Sequence, residues 1–295
     1  MDFISGGNLL KLCQDATLPI SAVMKQRELQ QGNLDEKQIN EKLDRILEIM
    51  HDSSKRPIDK PQKSMGGLIG GEAKKVKAHQ KAKSHIAGTL LSNTIAYSMA
   101  VLEVNASMGL IVAAPTAGSS GVVPGLLLAL NEEKELSIDT LHNGLLNASA
   151  IGYLLMRNAS VSGAEAGCQA EVGAASAMAA SAAVEMMGGT PQMCMYAASL
   201  ALSNLLGLVC DPIAGLVESP CQSRNAIGVA NAITCAELAL SGITYPIPFD
   251  EMVEAMYHVG QNLPIELRET AMGGCAGTPA AQAIGCRKCN KQKVT

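Results

Sequence analysis

The sequence predicts an all-α chain, a single helical domain whose glycine-rich loops surround a central site. Three observations carry that reading. Apolar residues recur at helical spacing along most of the chain, alternating strand patterns are scarce, and glycine and proline gather between the periodic runs. With 295 residues the chain can bury a sizeable core. Two Phe, five Tyr and no Trp leave that core to Ala, Leu, Ile, Val and Met. Small side chains let helices approach closely. Charged residues make up only 17%, below the usual quarter, which points to a surface shared with a partner.

The elements follow in order. Residues 1–62 read as a polar helical segment packed on a main helical domain, 63–295. Within it, 35–52 places Ile39, Leu43, Ile46, Leu47 and Met50 on one face, the spacing of an amphipathic helix. Pro57 and Pro61 are expected to end it. The stretch SMGGLIGGEAKKVKAH (64–79) is a glycine-rich turn entering a lysine-rich helix. Residues 89–108 read as a buried helix. AAPTAGSSGVVPG (113–125) fits neither helix nor strand and reads as a polar loop between core elements. Four helical runs come next: one capped by Ser137 or Asp139, one over 163–187, one over 191–208 with Pro191 in its first turn, and one over 225–242. A last amphipathic helix covers 249–262.

Composition also excludes functions. Scarce aromatics argue against base-stacking nucleic-acid modules. A net charge of −4 gives no pull toward nucleic acid or anionic membranes. Val104–Asn131 and Met186–Cys210 carry no Asp, Glu, Lys or Arg, yet prolines and glycines interrupt both, so neither reads as a membrane span. The start MDFISGGNLLKLCQD has no basic region followed by an apolar run, and a cytoplasmic location is expected.

Chemistry is carried by cysteine. There are nine, an odd number, which in a reducing cytosol is no disulfide framework. Cys168 lies in EAGCQAEVG, between Glu165 and Glu171 at i−3 and i+3, among small residues. Cys210 and Cys221 flank the Gly- and Pro-containing CDPIAGLVESPC. Three thiolates are informative as a set: thiolates bind iron–sulfur clusters, and a cubane held by three leaves one iron open, as Lewis-acid catalysis requires. CRKC (286–289) is a lone CxxC, and no zinc-type pair of CxxC motifs is present. On spacing alone, three ligands and three buried structural thiols remain equal alternatives.

NASMGLIVAAPTAGSSGVVPG, GAEAGCQAEVGAASAMAA, CDPIAGLVESPCQSRNA and MGGCAGTP resemble the α chain of the iron–sulfur-dependent bacterial L-serine dehydratases, and the likeness runs from about 64 to 285. It implies an all-helical fold around a [4Fe–4S] cluster held by Cys168, Cys210 and Cys221, without pyridoxal phosphate. It also implies a hetero-oligomer with a separate β chain bearing an ACT-like regulatory module. Some relatives end in a cysteine that occupies the open iron. Here Cys286 and Cys289 are near the end but not terminal, and Cys275 stands where a leucine is expected; none of these is added to the ligand set.

The implied reaction converts L-serine to pyruvate and ammonia. Glu165 and Glu171 are the candidate acid–base residues, because a carboxylate in an Ala-rich setting has a raised pKa. Thr116, Ser119 and Ser120 are candidates for the substrate carboxylate, with Lys74 or Lys75 adding charge. Arg224 would pair with Asp211 or with substrate, and His79 or His85 are alternative bases. Rival readings are a related lyase acting on L-cysteine or L-threonine, a noncatalytic cluster or redox subunit, and a structural zinc protein.

Overall fold

The computed structural model describes residues 1–32, 34–82 and 84–284. Twelve α-helices are assigned there, and no strand occurs among the described residues. In chain order the helices are α1 (Gly6–Ala16), α2 (Ile20–Gln31), α3 (Glu36–Asp59), α4 (Glu72–His79), α5 (Thr89–Ala106) and α6 (Val122–Lys134). They continue as α7 (Ile138–Asn158), α8 (Gly163–Ala166), α9 (Ala174–Met186), α10 (Pro191–Asn204), α11 (Cys221–Leu240) and α12 (Phe249–Asn262).

Helix α9 (AASAMAASAAVEM) is the axis. It is apolar on every side, so it can only be stable when surrounded. Helices α6, α7, α10 and α11 pack around it, and almost every one of its residues is buried. Alanine and serine on α9 bring those neighbours close. Ser176 donates to the Gly228 carbonyl of α11 at 2.9 Å, and Ser181 donates to Asn147 Oδ1 of α7 at 2.6 Å. Small polar side chains thus make their hydrogen bonds between helices, where burial would otherwise penalise them.

The expected start signals at Ser137 and Pro191 are in place, and two further caps accompany them. Ser137 caps α7, accepting from Thr140 N at 3.2 Å, and Asp139 lies in the first turn. Thr190 caps α10 with Pro191 next to it. Asp35 and Gln38 form a capping box on α3. Helix α3 differs from expectation at its far end. Pro57 is buried inside it, and the helix runs on to Asp59 before Pro61. A proline in the last turn removes one hydrogen bond near an end that was about to stop, so the helix tolerates it there. The N-terminal helices share the central core, with Leu9, Ile20, Val23 and Leu43 in one buried cluster with the residues of α6, α7 and α9.

Neither uncharged stretch is a span. Val104–Asn131 covers the end of α5, an irregular loop and α6, while Met186–Cys210 covers α10 and the turns that flank it. No helix among the described residues is long and apolar enough to cross a membrane.

Candidate active site

Three irregular segments meet at one end of α9 and α11, and each has a local cause. The helix expected over 163–187 is not continuous. Short α8 stops at Gly167, whose φ of 75° lies in the left-handed region. A side chain there would also sit 2.8 Å from the Leu208 carbonyl oxygen, so only glycine fits. Cys168 follows, and residues Gln169–Gly173 then form one π-helical turn before α9 starts. Such turns are rare and tend to occur at functional sites. Gln169 fixes this one: its Nε2 donates to the Met256 carbonyl at 2.9 Å, and its Oε1 accepts from Gly207 N at 2.8 Å.

The break separates the two glutamates. Glu165 points to solvent and accepts from Ser160 Oγ. Glu171 turns inward. Its Oε1 accepts from Thr116 Oγ1 at 2.8 Å, and its Oε2 lies 3.7 Å from Cys210 Sγ. Symmetric helical spacing about Cys168 predicts equal roles; the glycine break and the π turn change the angle between them. The approach to Glu171 is close. A Cβ on Gly163 would meet Glu171 Oε2 at 2.5 Å and Cys210 Sγ at 3.0 Å, and one on Gly118 would meet Glu171 Oε1 at 3.0 Å.

The second segment carries Cys210 and Cys221. Cys210 N donates to the Leu267 carbonyl at 2.9 Å, and the Cys210 carbonyl accepts from Glu269 N at 2.7 Å. Its neighbour Asp211 is buried, receives Cys275 N at 2.6 Å, and lies 2.6 Å from Arg224 Nη2. That last contact is an ion pair off the hydrogen-bond line, because Asp211 Oδ1 has no hydrogen-bond donor in line with it. Arg224 Nη1 donates to the Val209 carbonyl at 2.8 Å. Arg224 is therefore committed to holding the chain on both sides of Cys210. Cys221 opens α11.

The third segment is the 113–121 loop. Thr116 and Ser119 are 3.1 Å apart through their hydroxyls. Ser120, in contrast, donates to the Ala117 carbonyl at 2.7 Å and is buried in its own turn, away from the carboxylate. Asn225, absent from the sequence-derived candidates, locks the loop to α11. It accepts from Gly121 N at 3.0 Å and donates to the Gly118 and Cys221 carbonyls at 2.8 and 2.9 Å. Its position one residue after Arg224 in a cysteine-bearing motif was the available signal. Lys74 is on the exposed side of α4, donating to the Asp59 carbonyl, and Lys75 pairs with Glu72; neither is among the residues lining the cavity beside Glu171. His79 closes exposed α4, and His85 contacts the Ala82 carbonyl in the turn beyond it.

An open cavity of about 570 Å³ lies against this arrangement, lined by Thr116, Gly118, Glu171, Val217, Glu218 and Glu269 among others. Burial, then the nearby Glu171 carboxylate, pushes the Cys168 and Cys221 thiols up to about 12, and Cys210 higher still. Burial also raises Glu171, against the Thr116 hydrogen bond. Ionising more than one of Cys168, Cys210 and Cys221 is opposed further by the charge on the others. Thiols so buried keep their protons unless a metal displaces them.

The donor set therefore suits a sulfur-ligated group. Among the described residues no three His, Cys, Asp or Glu side chains surround a single ion-sized point. In a cubane each thiolate binds a different iron, so the ligands need not converge on one point. The glycine cradle at Gly163 and Gly118 leaves space where larger residues would collide with Glu171 and Cys210. Cys275 is exposed at the edge, while Cys286 and Cys289 lie outside the described residues.

Comparison with known proteins gives a consistent picture. The family model described as "Serine dehydratase alpha chain" matches residues 15–276. The probable L-serine dehydratase α chain of Bacillus subtilis is 44% identical over 276 residues, covering 94% of this chain and 92% of the relative. The L-serine dehydratase α chain of Peptoniphilus asaccharolyticus is 43% identical, covering 94% of each. An L-serine dehydratase of Streptomyces coelicolor is 36% identical over 93% of this chain but only 60% of its own length.

Proposed function

This chain belongs to the serine dehydratase α-chain family, and from that premise we propose that it removes water and then ammonia from L-serine, giving pyruvate. The observation that carries the reading is the placement of Glu171. It touches Thr116 on one side and Cys210 on the other, on the wall of the cavity.

Cys168, Cys210 and Cys221 would hold a [4Fe–4S] cluster. When bound, the cluster supplies an open iron that acts as a Lewis acid toward the serine hydroxyl. The protein's own residues do the rest. Thr116 and Gly118 bring the backbone of the 113–121 loop to the cavity wall, where its N–H groups suit the substrate carboxylate, and Ser119 Oγ stands behind Thr116. Glu269 exposes its carboxylate at the rim, where it suits the substrate ammonium group. Glu171 is the base for the α-proton, its carboxylate held in place by Thr116. Electrons from the broken C–H bond form the C=C bond as the hydroxyl leaves with a proton as water. The 2-aminoacrylate product becomes an imine, which water hydrolyses to pyruvate and ammonia.

A partner chain is part of the proposal. The names of the relatives as α chains support it, and so does the longer Streptomyces protein, of which this chain spans 60%. The test is anaerobic purification with that partner, iron and sulfide analysis, and assays for pyruvate from L-serine and L-cysteine and for 2-oxobutanoate from L-threonine. Pyruvate from L-serine with iron-containing protein is expected; equal activity from iron-free protein overturns the cluster reading. Stoichiometric zinc in colourless protein would favour the structural-metal alternative.

A further inference from the structure

Glu218 lies on the cysteine-bearing segment, three residues before Cys221, and only 3% of it is exposed. Its carboxylate is committed to a segment some 150 residues away in sequence. Oε1 accepts from Gly66 N at 2.5 Å, while Oε2 accepts from Ser64 Oγ at 2.7 Å and from Leu68 N at 2.8 Å. Ser64 Oγ in turn accepts from Gly67 N at 3.0 Å and Ile69 N at 3.3 Å. Four consecutive amide donors of the 64–71 loop thus end on two side chains rather than on a helix or sheet. Ile69 is buried and the Gly66 and Leu68 amides are partly so, and leaving such donors without acceptors costs free energy, so the loop depends on this pair for its shape. Met65 N closes the loop onto the Ala106 carbonyl at 2.8 Å, and Met65, Glu218 and Glu171 line the same cavity.

The segment that presents Glu218 has little regular structure of its own. Between Cys210 and Cys221 it holds one 3-10 turn, Ile213–Gly215, in which Ala214 has a φ of 56°. Its anchors are its ends: the Cys210 pairing with 267–269 and the start of α11 at Cys221. Fixing both thiols to one group fixes both ends.

We propose that Glu218 is a positioning residue that couples the Cys210–Cys221 segment to the 64–71 loop, so that loading the cluster sets the wall of the cavity that Met65 and Glu218 share with Glu171. The proposal rests on the cluster assignment above. It accounts for the glycine-rich SMGGLIGG stretch, whose backbone amides read the state of the cysteine segment through one carboxylate. Substrate then meets a formed cavity only when the cluster is in place.

The test is E218Q in the anaerobically loaded enzyme with its partner chain, with hydrogen exchange as the main readout. Glutamine keeps the shape but turns an NH2 toward donors that need an acceptor. Iron and sulfide per chain should stay at the wild-type level. Exchange at the Gly66 and Leu68 amides should speed by about tenfold or more, the equivalent of one lost charged hydrogen bond. The KM for L-serine should rise more than kcat falls. Stripping iron from the wild-type enzyme should speed exchange at the same two amides. Unchanged exchange in E218Q, or unchanged exchange on iron removal, overturns the coupling. So does loss of iron in E218Q, which would make Glu218 a support of the cluster itself. Should E218Q fail to fold, S64A carries the same readouts, and unchanged exchange there overturns the proposal equally. If L-serine proves not to be the substrate, the exchange result still decides the coupling, so the two failures are distinguishable.

Discussion

Thr116 and Glu171, 55 residues apart in the chain, meet in a 2.8 Å hydrogen bond that ties the 113–121 loop to the π turn after Cys168. The carboxylate would otherwise be a partly buried group with an acidic neighbour, Glu269, and a thiol beside it. The Thr116 hydroxyl sets its rotation and favours its charged form, opposing the burial that disfavours it.

Thr116→Val keeps the shape and removes the hydroxyl. The Glu171 carboxylate then loses its hydroxyl donor and takes up a proton more readily. The expected result is a fall in kcat/KM for L-serine of about tenfold, the size of one hydrogen bond to a charged group. Iron content should not change. Steady-state kinetics beside iron analysis checks this; a variant of wild-type rate removes Thr116 from the site.

Glu171→Gln and Glu165→Gln separate the two carboxylates that flank Cys168. Glu171 faces the cavity and Glu165 faces solvent. A lost general base costs about 10²–10⁴ in rate, so E171Q should fall by that order while E165Q stays near wild type. Equal effects from both would mean that the bend at Gly167 does not divide them as described.

That pair also shows how much of the site could be read in the sequence. The helices were legible because their signals are local: the Ser137 cap, Pro191 at a first turn, and the apolar face of 35–52. The proposal that Cys168, Cys210 and Cys221 act as one ligand set rests on family resemblance, since spacing left burial equally open. The roles of Glu165 and Glu171 were not legible, because periodicity assumes a regular helix and Gly167 interrupts it. Nor were the roles of Asn225 and Glu218, since the loops that each of them holds lie more than a hundred residues away. Lys74 read as a functional charge because lysines cluster at 74–77, yet its helix face is solvated.

Cysteine replacements test the ligand set against its burial. C168S, C210S and C221S should each lose most of their bound iron, whereas C194S and C235S should keep it. Cys194 is packed beside Asn147 and Cys235 lies between Asn204 and Asn231, both in settings with their own contacts. Burial alone therefore cannot distinguish the two groups, since all five are buried free thiols. Iron and sulfide analysis of anaerobic protein decides it, and retention of full iron by any of the first three removes that residue from the set.

The last prediction concerns stability, away from the site. Glu185 on α9 is partly buried, accepting from Ser21 N at 3.3 Å and from Asn147 Nδ2 at 2.7 Å, with Cys13 and Cys194 nearby. Burial is the largest influence and raises its pKa above the ordinary 4.5, though the hydrogen bonds oppose this. A carboxyl whose folded pKa is raised binds its proton more tightly folded than unfolded. Its contribution is complete below the unfolded value and is lost as pH rises through the folded one. Stability should therefore fall with rising pH above about 4.5, with a slope of at most about 1.4 kcal/mol per pH unit for a single proton. Other carboxylates with lowered pKa, such as Glu132, slope the opposite way at lower pH, so the difference between wild type and E185Q is the quantity to measure. Denaturant unfolding of both proteins from pH 4 to 8 should show E185Q gaining on wild type as pH rises through that window, then holding a constant lead. Parallel curves would mean that Glu185 is ionised at no cost in the folded chain.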